Sequence, residues 1–256
     1  MEYTIEEENE NDLRINKVGM NCDEDLIDNL HPTLINRNHI ANFCGKSGSG
    51  KTNLLVNLLN KNKKNGIRQS YKRVFHDIII VSPSLSSFDD SIFDDISPEK
   101  KFVELNSDTL EFIDEFTQAN TEENKNTLII FDDVGSSLKN GENERLLGLL
   151  TQKYRHIRTS FWFLTQKFRD LPTKLRANLS AIYLFRPVSL KELDTIHSEL
   201  LSFDKKFLKS FIEFVYKRKY DFLYIDLSLI KSPTLIFHKN FKKILFKNKN
   251  EKESFI

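Results

Sequence analysis

The chain has 256 residues, of which 39% are hydrophobic and 29% charged, with a formal net charge of +1. This suits one large globular α/β domain with a small appendage, and the near-zero charge excludes a protein that binds nucleic acid by bulk charge alone. No apolar run approaches the roughly 18 residues of a membrane span, and the acidic first thirty residues are unlike a signal peptide.

Two cysteines, Cys22 and Cys44, lack metal-type spacing. They point to a reducing intracellular compartment, with Cys44 a small buried residue at a strand end. Residues 1–37 read as a lead-in. Their first thirty positions carry ten acids against Arg14 and Lys17. Residues 1–12 have few apolar anchors and are expected to be disordered. Leu26, Ile27, Leu30, Leu34 and Ile35 are expected to pack on the core.

His39, Ile40, Ala41, Asn42, Phe43 and Cys44 predict a first, mostly apolar strand. Next stands Gly45-Lys46-Ser47-Gly48-Ser49-Gly50-Lys51-Thr52, which reads G-x-x-x-x-G-K-T, a phosphate-binding loop. Backbone N–H groups in such a loop wrap the charges of a nucleoside triphosphate such as ATP. Glycine permits positive φ and close approach. Lys51 then meets the β/γ-phosphates and the Thr52 hydroxyl meets Mg²⁺. Leu54, Leu55, Val56, Leu58 and Leu59 predict the buried stripe of a helix to about Leu59 or Asn62, whose N-terminal dipole faces the phosphates. Strand, glycine loop and helix are the context this motif requires.

A polar loop at 60–66 leads to a second strand over 75–81, whose unbroken apolar run suits a parallel strand buried on both faces. Residues 85–100 read as loop with a helical turn, 102–105 as a short edge strand, and 107–119 as an amphipathic helix. The third core strand is Leu128-Ile129-Ile130-Phe131, ending in Asp132-Asp133. Strands ending in Asp-Asp turns are common; the meaning here comes from the pairing with residues 45–52. Asp132 is then a metal-shell carboxylate beside Thr52, and Asp133 orients or deprotonates the attacking water.

A helix over 142–154 follows, then a fourth strand over 159–166 ending in Thr165-Gln166. Inserted between the phosphate-loop strand and the Asp-Asp strand, it would bring the Gln166 amide near the γ-phosphate and the water. The alternative is a polar strand terminus with no role. Residues 170–175 predict a short helix and 181–185 a fifth strand. Helices over 189–201 and 204–218 and short β segments over 221–227 and 233–237 complete the chain. Its last fifty or so residues are basic, either a solvated face or a surface facing a polyanion.

Taken together, residues 45–52, Ile129-Ile130-Phe131-Asp132-Asp133, Tyr154-Arg155-His156, Phe163-Leu164-Thr165-Gln166, Leu171-Pro172 and Leu175-Arg176-Ala177-Asn178 resemble the genome-packaging ATPases of large double-stranded DNA viruses. The poxvirus-type packaging ATPase, within the FtsK/HerA group of P-loop NTPases, is the nearest likeness. The resemblance covers roughly residues 38–187, taken as the ATPase core, and leaves 188–256 as a helical and short-strand extension with a basic tail. It implies an α/β fold with a mostly parallel sheet in the order 5-1-4-3-2. It also implies a homo-oligomeric ring that moves double-stranded DNA, Mg²⁺ and ATP at the site, and a capsid or portal-type partner. The host cytoplasm, a viral factory or the virion is the expected location. An arginine is expected to reach a neighbour's site, with Arg176 ranked before Arg155 and Arg158. Asp-Glu is common in the group where this chain has the shorter Asp133.

Motors for plasmid conjugation or chromosome pumping, and a low-turnover nucleotide-binding scaffold, stay open on sequence. A small-molecule kinase is disfavoured because no Arg-rich lid follows the fifth strand, and a guanine switch because no Asn-Lys-x-Asp follows a late strand.

Overall fold

The computed structural model describes residues 24–60, 63–64, 67–68, 70–85, 93, 96–187, 189–201, 203–228 and 235–246. The expected disorder of residues 1–12 and the end of the basic tail lie outside these. In chain order the elements are β1 (Ile40–Cys44), α1 (Lys51–Asn60), β2 (Lys63–Lys64), β3 (Ile67–Arg68), β4 (Asp77–Val81), β5 (Lys101–Phe102), α2 (Ser107–Glu122), β6 (Thr127–Asp132) and α3 (Gly141–Gln152). Then come β7 (Thr159–Thr165), α4 (Thr173–Arg176), β8 (Ala181–Phe185), α5 (Leu190–Ile196), α6 (Lys205–Val215), β9 (Phe222–Asp226), β10 (Ile236–Lys239) and β11 (Lys242–Lys243). A π-helical turn, His197–Leu201, continues α5.

Nine strands form one sheet in the order β11-β10-β9-β8-β1-β7-β6-β4-β5. Its five central strands, β8-β1-β7-β6-β4, are parallel and carry the expected order 5-1-4-3-2. The C-terminal extension is part of this sheet: β9 runs antiparallel to β8, and β10 antiparallel to β9.

Side chains alternate across the strands and feed two cores, one on each face. Phe161 and Phe163 of β7 join Ile129 and Phe131 of β6 beneath α2, α3, α5 and α6. Trp162 and Leu164 point the other way, with Ile130, Phe43 and the Leu54, Leu55, Leu58 and Leu59 stripe of α1. Leu30, Leu34 and Ile35 of the lead-in are buried in this second core, as their apolar character predicts. His39 locks the chain tryptophan: Trp162 Nε1 donates to His39 Nε2 at 3.0 Å, and His39 Nδ1 lies 2.8 Å from the Arg37 carbonyl.

Local chemistry sets the helix ends. Asn106 caps α2 by accepting from the Thr109 amide at 2.9 Å. Asp204 caps α6 by accepting from the Lys206 and Phe207 amides. By contrast, α1 begins directly from the glycine loop with no acid in its first turn, so its dipole end faces the cleft unneutralised. Boundaries differ from expectation where side chains capture the backbone. Helix α6 stops at Val215 instead of 218 because Asp221 Oδ2 takes the Arg218 amide and turns the chain into β9. Strand β5 is confined to Lys101–Phe102, and the hairpin to β11 was not foreseen.

Phe163 is fully buried and stacks on Phe131 at 5.0 Å between centroids. Phe163→Ala is expected to cost about 3–5 kcal/mol, read as a lower midpoint in chemical denaturation with the slope unchanged.

Candidate active site

The parallel register decides which side chains meet. Cys44 pairs with Thr165, and Leu164 pairs with Asp132. The C-terminal ends of β1, β7 and β6 are therefore level, and the residues after them emerge together at one sheet edge, where open α/β sheets bind ligands.

After β1 the chain enters the glycine loop. Gly45 N donates to the Thr165 carbonyl at 3.0 Å, which ties the loop to the neighbouring strand. Gly48 and Gly50 have φ of +70° and +104°. Gly45 is required for a different reason: a Cβ there would lie 2.6 Å from Phe185 Cβ and 2.8 Å from Ser49 Oγ. Lys51 folds back across the loop, with Nζ donating to the Gly45 carbonyl at 2.6 Å and the Lys46 carbonyl at 3.2 Å. Burial lowers its pKa, against the opposing pull of Asp132, Cys44 and Asp133. Thr52 stands half-buried in the first turn of α1.

After β6 come the two carboxylates, in unlike settings. Asp132 is half-buried, and Oδ2 accepts from Ser82 Oγ at 3.3 Å. Its pKa is raised by burial and by the neighbouring Asp133 charge, which outweigh the Ser82 hydrogen bond and Lys51. Asp133 is exposed and held at φ +54°, in the left-handed region. Its Oδ1 accepts from Gln166 Nε2 at 2.9 Å. The expected Asp133 and Gln166 thus touch directly. Ser82 was missed by sequence reasoning: it ends β4, and only the pairing of Val81 with Phe131 brings it to Asp132.

A single cleft of about 820 Å³ joins these parts, lined at one end by Lys51, Thr52, Asp132, Asp133 and Gln166. The donor set fits a hard cation. Thr52 and Asp132 offer oxygen, which suits Mg²⁺. No cluster of three or more His, Cys, Asp or Glu occurs among the described residues.

The arginines lie elsewhere, and none of the three lines this cleft among the described residues. Arg176, ranked first as an outward-reaching residue, is engaged within its own chain. Its Nε and Nη2 donate to Glu199 at 2.9 and 3.0 Å, Nη1 donates to the Leu171 carbonyl, and the guanidinium lies over the Phe168 ring. Arg158 pairs with Glu24 at 2.7 Å. Arg155 is exposed and stacks on Tyr154. Cys44 is buried as expected, and burial raises its thiol pKa.

Comparison with known proteins agrees with this fold. The family model described as "Poxvirus A32 protein" matches residues 31–252. Among solved structures, the genome packaging NTPase B204 from Sulfolobus turreted icosahedral virus 2, in complex with ATP-gammaS, superposes with a TM-score of 0.53 at 18% identity, covering 80% of this chain and 98% of its own. The DNA-packaging ATPase B204 from Sulfolobus Turreted Icosahedral Virus gives a TM-score of 0.55 at 16% identity, covering 78% and 97%. At these identities the likeness shows the fold. No curated protein sequence matches significantly.

Gly45→Ala is expected to abolish nucleotide binding and to destabilise the protein by roughly 1–3 kcal/mol, since the added methyl meets the fixed Phe185 Cβ. Nucleotide titration and a thermal melt of the same sample check both effects.

Proposed function

The chain belongs to the Poxvirus A32 protein family, and from that premise we propose that it is an ATP-hydrolysing motor that moves double-stranded viral DNA into the capsid. The observation that carries the proposal is the convergence of the glycine loop, Asp132, Asp133 and Gln166 on one cleft at one sheet edge. The printed descriptions of B204 as a packaging ATPase, on the same fold, support the choice of cargo.

In this reading the loop amides and the α1 N-terminus cradle the triphosphate. Lys51 exchanges its bonds to the Gly45 and Lys46 carbonyls for the β/γ-phosphates, where the phosphate charge stabilises its ammonium. Thr52 and Asp132 would hold Mg²⁺, which supplies positive charge against the phosphate oxygens. Asp133, which is exposed, orients the attacking water and accepts its proton. Its backbone is held in an uncommon conformation, the kind of local strain that clusters at functional sites. The Gln166 amide steadies the Asp133 carboxylate from the next strand. A change at the γ-phosphate would move both, so the pair is suited to report hydrolysis to the rest of the subunit.

The motor would work as a homo-oligomeric ring, with an arginine from one subunit meeting the neighbour's γ-phosphate. Arg176, Arg155 and Arg158 are the candidates, and Arg158 and Arg176 must first leave Glu24 and Glu199. DNA packaging is done inside the infected cell, and we assign the protein to that location with a capsid component as partner. No helix among the described residues is long and apolar enough to cross a membrane.

The test is ATP hydrolysis with and without duplex DNA. Turnover is expected to rise with DNA and to vanish in Lys51→Ala, and DNA-independent turnover would overturn the motor reading. Asp133→Asn is expected to bind ATP normally and to lose roughly 10²–10⁴-fold in kcat, as for removal of a general base. Gln166→Ala is expected to lose more DNA-stimulated than basal turnover. Full kcat in Asp133→Asn would place the base elsewhere.

A further inference from the structure

The cleft has a second, chemically different end. Away from the acids it is lined by Phe185, Tyr220, Phe222 and Phe241, which come from β8, the approach to β9, the first residue of β9 and the turn after β10. Tyr220 is 58% exposed, large and apolar, and core packing does not account for it. Its ring stands against the glycine loop: a Cβ at Gly50 would lie 3.3 Å from Tyr220 Cδ1 and 3.5 Å from Phe185 Cε1. The aromatic end therefore begins one residue before Lys51.

We propose that this aromatic end is the nucleobase platform of the site, with Tyr220 as the stacking ring, and that it holds the base by ring contact and not through hydrogen bonds to the base edge. The proposal rests on the phosphate-loop reading above and adds the half of the ligand that the loop does not touch. Topology supports the assignment. Strand β8 lies on the opposite side of β1 from β7 and β6. The rings and the acids are thus on opposite sides of the loop, as base and γ-phosphate are on opposite sides of the α- and β-phosphates.

The platform is also built to be rigid. Phe185 and Phe222 are buried and contact each other at 5.5 Å between centroids, and Phe222 meets Phe241 edge-on at 5.4 Å. The Lys219 ammonium lies 5.0 Å from the Tyr220 centroid. Polar groups nearby are used within the chain. Asn240 accepts from the Phe222 amide at 3.0 Å and donates to Asp221 at 3.1 Å, holding the corner between β9 and β10. Asn57 Nδ2 donates to Asn53 within α1. What faces the base is ring surface, which is tolerant of base identity because every base has a π-face.

The experiment compares binding of a non-hydrolysable ATP analogue, a GTP analogue and inorganic tripolyphosphate, all with Mg²⁺, to the wild-type chain, Tyr220→Ala and Tyr220→Trp. Tyr220→Ala is expected to lose roughly 5- to 150-fold in affinity for the ATP analogue, the range of one lost base–aromatic stack, with tripolyphosphate affinity unchanged. Unchanged tripolyphosphate binding also shows that the variant is folded. Tyr220→Trp is expected to retain nucleotide affinity, and the ATP and GTP analogues to bind the wild type within about tenfold. Equal loss of analogue and tripolyphosphate would make Tyr220 a support of the loop and overturn the platform, as would full nucleotide affinity in Tyr220→Ala. Discrimination between the analogues of about 10⁴-fold, the mark of a site that hydrogen-bonds its ligand's edge, would overturn the ring-contact mode. A wild-type chain that binds tripolyphosphate no better than Lys51→Ala does would overturn the phosphate loop itself, a result distinct from the others.

Discussion

The site depends on one constraint, the insertion of β7 between β1 and β6 in parallel register. Several polar contacts at the acid end of the cleft run to the end of that strand. Gly45 is tied to Thr165, Asp133 N donates to the Leu164 carbonyl, and Gln166 reaches Asp133. A one-residue slip of β7 would turn Phe161 and Phe163 out of one core and Trp162 out of the other. The packing that fixes the register is thus the same packing that levels the three strand ends. The aromatic content of β7 secures this, since Phe161, Trp162 and Phe163 are all essentially excluded from solvent.

A second theme is opposite charge held at partial burial. Burial lowers the pKa of Lys51 and raises that of Asp132. Each ion is disfavoured by its surroundings and each is relieved by an opposite charge. Lys51 is meanwhile kept at hand by two loop carbonyls, bonds that are easily exchanged.

The C-terminal extension braces this machinery from two sides. Glu192 of α5 accepts from the Phe168 amide at 2.5 Å, just after the Thr165-Gln166 strand end, and Glu199 holds Arg176. Tyr216 donates to the Leu184 carbonyl at 3.0 Å, and β9 pairs with the whole of β8. The segment after Gln166 and the floor of the aromatic end are therefore set by residues far along the chain.

The sequence alone determined the parts whose chemistry is local. A glycine-rich loop between an apolar strand and a leucine-striped helix can be read in one pass, because backbone conformation and phosphate binding impose their residues at fixed spacing. The same holds for Asp132 after four apolar residues, for the five core strands, and for the buried lead-in residues Leu34 and Ile35. Tertiary structure decided what depends on distant segments meeting. Ser82 on Asp132, Glu199 on Arg176 and Tyr220 on Gly50 join positions 50, 23 and 170 residues apart. Neither member of such a pair carries a periodic or spacing signal for the other. Arg176 shows the difference most plainly. The family resemblance marks it as a candidate for reaching outward, and only the fold shows the carboxylate it pairs with, because an ion pair is a property of two side chains in space and a motif is a property of one stretch of chain.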